Sequence, residues 1–104
     1  VRVAKARVGW RKRAPMRRWS RRELKAKCGT KCFMDPRGDG GAGAFPVCQK
    51  LSHSRGKCVV DCEGLLSAFN RARQTKRPKI ARRAVRMACR SGCSWTKAKQ
   101  RCPT

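Results

Sequence analysis

The sequence has no tyrosine, one histidine and only five acidic residues in 104 positions. Each shortage excludes something. A Ser/His/Asp or Cys/His set has only His53 to draw on, and that residue lies between two serines in a loop-like stretch. The acids Glu23, Asp35, Asp39, Asp61 and Glu63 are scattered and offer no convincing acid/base pair. The Gly-rich segment lacks G-K-[ST], which excludes a P-loop. C-x2-C is absent, which argues against thioredoxin-like redox chemistry and against the common zinc knuckles. No apolar run approaches the ~20 residues that span a bilayer. Aromatics amount to three Phe and three Trp, so the core is thin. The expectation is a chain that is not an enzyme, with no cofactor, no metal and no small-molecule substrate.

What is present in quantity is positive charge and cysteine. Twenty-nine Lys and Arg give a net charge of +24. Residues 1–22 carry ten cations and no acid, residues 23–63 hold all five acids beside seven cations, and residues 64–104 carry twelve cations and no acid. Two basic ends flank a nearly balanced middle. Self-repulsion at that charge opposes compaction and calls for a compensating anion: nucleic acid, an anionic membrane face or an acidic protein surface. A domain this short buries only roughly 60–65% of its unfolded surface. Eight cysteines are the natural supplement. The chain opens on Val1 rather than Met, and its true start is left open.

The fold class expected is small, mainly α and disulfide-rich: an antiparallel helical hairpin plus an extended basic N-terminal arm. Residues 1–19 read as the arm and 20–104 as one stapled domain. The arm interleaves cations with Val, Gly, Pro and Trp without a helical stripe. Its residues Arg2, Arg7, Trp10, Arg11, Lys12, Arg13, Arg17, Arg18 and Trp19 are candidate contacts for a polyanion or partner, ordered on binding. Ser20-Arg21-Arg22-Glu23 matches a capping box, opening a helix that runs to about Cys28 and stops at Gly29. Residues 33–57 read as loop, broken by Asp35-Pro36, Gly38, Gly40, Gly41 and Gly43. Arg37-Gly38-Asp39 within it spells an integrin tripeptide but reads as turn chemistry.

Residues 58–74 give the strongest helical pattern, with Cys58, Cys62, Leu65, Leu66, Phe69 and Ala72 on one face. A second helix starts at Pro78, carries Ile80, Ala84, Val85 and Ala88 inward, and stops at Gly92. Its polar face adds Arg82, Arg83 and Arg86 to the candidate contacts. Residues 94–104 offer one more helical turn. Three cysteine pairs share the spacing C-x3-C: Cys28/Cys32, Cys58/Cys62 and Cys89/Cys93. Folding the chain about residues 75 and 76 sets Cys58 opposite Cys93 and Cys62 opposite Cys89, which predicts those two disulfides as a clamp. Cys28, Cys32, Cys48 and Cys102 then pair among themselves in an order left open. Two zinc ions held by the eight thiolates are the alternative.

Paired C-x3-C motifs on two helices resemble the small chaperones of the mitochondrial intermembrane space, over four cysteines only. A broader set of strings covers residues 28–92. These are Cys32-Phe33-Met34-Asp35-Pro36, Phe45-Pro46-Val47-Cys48, Cys62-Glu63-Gly64-Leu65-Leu66-Ser67-Ala68-Phe69-Asn70-Arg71-Ala72, and Ala84 to Gly92. In that order they resemble small cysteine-rich proteins of large algal DNA viruses of the chlorovirus type. The resemblance implies a structural virion component, a minor capsid protein on the inner side of the capsid lattice, assembled in the host cytoplasm. Its implied partners are the major and other minor capsid proteins, with an anionic inner membrane or packaged DNA as further candidates. The basic arm is outside the resemblance. A non-sequence-specific nucleic-acid-binding or packaging protein is the second reading, and a secreted toxin-like protein a third.

Overall fold

The computed structural model describes residues 2–5, 8–98 and 102. Helix dominates. The largest packing unit is α4 (Cys62–Gln74) against α5 (Pro78–Arg90), joined by Thr75–Arg77. α4 buries Cys62, Leu65, Ala68, Phe69 and Ala72; α5 buries Ile80, Ala81, Ala84 and Ala88. Small alanines on α5 let the helices approach closely, and Pro78 starts α5 where its missing N–H costs nothing. Trp95, on the short α6 (Ser94–Ala98), covers the open end: its ring lies 5.6 Å from Phe69 and its Nε1 donates to the Cys62 carbonyl at 2.9 Å.

The expected helix from Cys58 begins four residues later. Val59 and Val60 are β-branched, and they form β4 (Val59–Asp61) instead, pairing in parallel with β1 (Arg2–Ala4). Asp61 then caps α4, accepting from the backbone N–H of Glu63 and Gly64. At the other end of the chain's middle, α2 (Arg18–Cys28) starts two residues before the expected cap. Arg17 is its N-cap without a side-chain bond, and Ser20 is buried inside the helix, so the capping box does not form. The stop at Gly29 is as expected, at φ 82°.

The segment read as loop is ordered by short elements. β2 (Phe33–Asp35) pairs antiparallel with β3 (Ala44–Pro46), and α3 (Leu51–Ser54) follows. Gly43 must be glycine there: its φ is +103°, and a Cβ would lie 2.6 Å from the Phe33 ring. One core cluster gathers Leu24, Phe33, Val47, Val60, Leu65, Phe69 and Ile80.

The basic segment does not project as an arm. Besides β1, it forms α1 (Trp10–Arg13), and Ala14 and Pro15 are buried. The cause is a pair of acids it meets, Asp61 and Glu63, 48 and 53 residues from their partners Arg13 and Trp10.

The disulfides also differ from the expected clamp. They join Cys28–Cys58, Cys32–Cys48, Cys62–Cys93 and Cys89–Cys102, with Cα separations of 5.7, 5.1, 5.5 and 5.6 Å. The pairs Cys58–Cys93 and Cys62–Cys89 are therefore corrected. Cys58 precedes a strand rather than riding a helix, so it reaches the end of α2. Cys93 lies beyond Gly92, whose left-handed turn folds it back to the first residue of α4. Cys89 sits beside the buried stripe, half exposed, and takes Cys102 of the tail. Only Cys32–Cys48 stays within the four expected to pair together.

Candidate polyanion-binding surface

The acids decide how the charge is displayed. Four of the five are spent on internal ion pairs. Asp61 has no exposed surface; it accepts from Arg13 Nε at 2.8 Å and from Gln49 Nε2 at 3.0 Å besides capping α4. These bonds hold the Arg13 guanidinium above its ordinary pKa, the hydrogen bond to Asp61 outweighing the burial that opposes it. Glu63 lies 3.7 Å from Arg13 and accepts from the Trp10 backbone N–H. Asp39 accepts from Arg18 at 2.9 Å and from Arg21, and those two bonds depress its carboxyl below the usual 3.8. Asp35 pairs with Arg77 at 3.0 Å. Glu23 is exposed on α2 and has no ion pair among the described residues.

The charge left unpaired on the outer surface is thus almost wholly positive. Of the candidate contacts, Arg2, Arg11, Lys12 and Arg17 are exposed, and so are Arg82 and Arg86 on α5. Arg83 is exposed but donates to the Met34 carbonyl at 3.1 Å, tying α5 to β2. Trp19 is 64% exposed beside exposed Arg17, Arg18 and Arg22. Three expectations change. Arg13 is an internal ion-pair partner, not an outward contact. Trp10 is half buried, its ring against Gly64, where a Cβ would come within 2.7 Å. Arg18 is exposed yet engaged by Asp39. Arg7 lies outside the described residues.

Residues that the sequence reading passed over complete the surface. Arg73, Lys76 and Arg77 stand with Arg82 and Arg86 around a cleft of about 630 Å³ between the ends of α4 and α5. Arg73 lies over the Phe69 ring at 5.6 Å and Arg77 over Phe45 at 5.4 Å, the geometry of cation–π contacts. The signal for them was the acid-free stretch across the connection, seven cations in the thirteen positions from Arg71 to Arg83. All eight cysteines are in disulfides. No helix among the described residues is long and apolar enough to cross a membrane.

Compared with protein-family models, curated proteins and solved structures, the chain matches none.

Proposed function

We propose that this protein is a structural assembly component, a minor capsid protein of a large DNA virus that cements the lattice from its inner side. The observation that carries the reading is the internal use of the acids: four stabilise the fold, and the cations face outward on a frame cross-linked by four disulfides. Such a body is rigid and adhesive toward anions. The packed α4–α5 hairpin serves as a peg, and the cationic faces meet acidic undersides of capsid proteins, an inner membrane or packaged DNA. The exposed Trp19 among arginines supplies an anchor of the kind that concentrates binding energy at interfaces.

The test is abundance and location in purified particles. The reading expects many copies per particle, retained with the shell after lipid and DNA are stripped. Scarcity, or loss together with the DNA, rejects it in favour of the packaging reading.

A further inference from the structure

The cleft between the ends of α4 and α5 is not isolated. A second cleft of about 750 Å³ lies between α4, β3 and the N-terminal segment, walled by Trp10, Phe45, Met16 and Arg71. A third, of about 440 Å³, lies beyond Trp10 and includes Asn70, Arg71 and Gln74. Arg77 lines the first and second; Trp10, Ser67 and Arg71 line the second and third. The three adjoin through these shared walls and form a run of clefts, a track, around α4.

Two properties define what fits it. The first is charge of one sign. The acids on its walls are Asp39, held by Arg18 and Arg21, and Glu63, held by Arg13 and the Trp10 N–H, whereas Arg71, Arg82 and Arg86 are exposed. The second is a pair of half-exposed aromatic rings set among the cations: Trp10, with Gly64 behind it, and Phe45, with the Arg77 guanidinium over it. Phe45 holds its place at φ 54°, a left-handed conformation uncommon for an aromatic residue.

We propose that this track binds single-stranded nucleic acid without sequence preference, with phosphates against Arg71, Arg73, Arg82 and Arg86 and bases against Trp10 and against the Arg77 guanidinium that Phe45 supports. Cations that follow a backbone, alternating with rings on which bases stack, are what such binding requires. A bilayer cannot follow a concave track, and a duplex is too stiff and wide to turn through it. An acidic polypeptide would satisfy the cations but has no use for two interleaved rings. The inference is tested apart from the capsid reading: that reading turns on retention in particles, and this one on oligonucleotide binding by the isolated protein.

The experiment measures binding of a fluorescein-labelled 16-mer of deoxythymidine to the intact oxidised protein by anisotropy, across a range of NaCl. Each phosphate contact contributes about 0.7 to the log–log salt slope for single strands. Arg71→Gln with Arg86→Gln is expected to weaken binding at least tenfold and reduce the slope by about 1.4. Lys31→Gln with Lys57→Gln, equally charged changes at exposed positions off the track, should leave the slope unchanged. Phe45→Leu should weaken binding at least fivefold with the slope unchanged. The proposal is overturned if both double variants lose slope equally or if Phe45→Leu binds like the parent. It is also overturned if polyglutamate displaces the oligonucleotide at matched charge.

Discussion

Asp61 joins three parts of the molecule through one side chain. Its carboxylate accepts from Arg13 of the N-terminal segment, from Gln49 of the middle and from the first turn of α4. Removing one partner of a buried ion pair leaves the other charge uncompensated, typically at a cost of about 3–5 kcal/mol. Asp61→Ala should therefore lose about that much in urea unfolding of the oxidised protein, far more than a lost cap alone at about 1 kcal/mol. A loss near the smaller figure would mean that Arg13 finds water at no cost. Asp39 makes the contrasting, surface case. Arg18 and Arg21 depress its pKa below 3.8, so the unfolded state binds the proton more tightly. The pair stabilises the fold above pH 3.8, and that contribution disappears as pH falls through the lower, folded value. In an NMR titration the Asp39 carboxyl should have its midpoint below 3.8, and Arg18→Gln with Arg21→Gln should return it toward 3.8. An unchanged midpoint in the double variant would show that these arginines do not hold it.

Among the elements, the N-terminal segment is the one held without a covalent bridge, since the first disulfide begins at Cys28. Its docking depends on the Trp10 ring lying flat on Gly64. Gly64→Ala sets two effects against each other: alanine favours the helix by about 1 kcal/mol, while overpacking costs about 1–3 kcal/mol. The segment can yield and α4 cannot, so the clash should eject Trp10 rather than unfold the domain. Trp emission should shift red and trypsin should cut after Arg11 or Lys12, while Arg13 stays paired with Asp61 and Tm changes little. A large fall in Tm with no red shift would contradict this. The same element shows where sequence reading stops. The buried faces of α4 and α5 were legible because Leu65, Phe69, Ile80 and Ala84 recur at helical spacing, and Pro78 and Gly29 mark boundaries locally. The docking of Trp10 and Arg13 was not, because Asp61, Glu63 and Gly64 lie some fifty residues on and no local pattern names them. The disulfide order failed for a related reason. Helical register places cysteines only while the helix lasts, and Cys58 and Cys93 both lie outside it. The cationic clefts were half legible: Arg82 and Arg86 stood out on one face, whereas Phe45 comes to Arg77 in the neighbouring cleft only through the β2–β3 pairing.

At the scale of the whole molecule, charge and covalent closure oppose each other. The protein measures 36 × 27 × 20 Å. At 0.01 M salt the Debye length is about 30 Å, so nearly every cation repels every other; at 0.15 M it is about 8 Å and only neighbours interact. Salt also weakens the ion pairs, but those involve four acids against 29 Lys and Arg, and the most buried of them, Arg13–Asp61, is little screened. Repulsion should win. Raising NaCl from 0.01 to 0.15 M should raise Tm by on the order of 5 °C, which corresponds to about 1 kcal/mol for a domain of this size. A protein held chiefly by surface ion pairs would show the opposite sign, and a Tm that falls with salt would reject the balance argued here. The disulfides determine how far the repulsion can act. Cys28–Cys58 and Cys32–Cys48 close one stretch of chain, and Cys62–Cys93 and Cys89–Cys102 close the next; no bridge crosses between them. The two closed stretches are held together by β4, the shared core and Asp61. Repulsion between them is therefore met only by noncovalent contacts, the Asp35–Arg77 pair and the Arg83–Met34 bond among them, so the salt dependence should steepen in Asp61→Ala, the variant that removes the charged link at their junction.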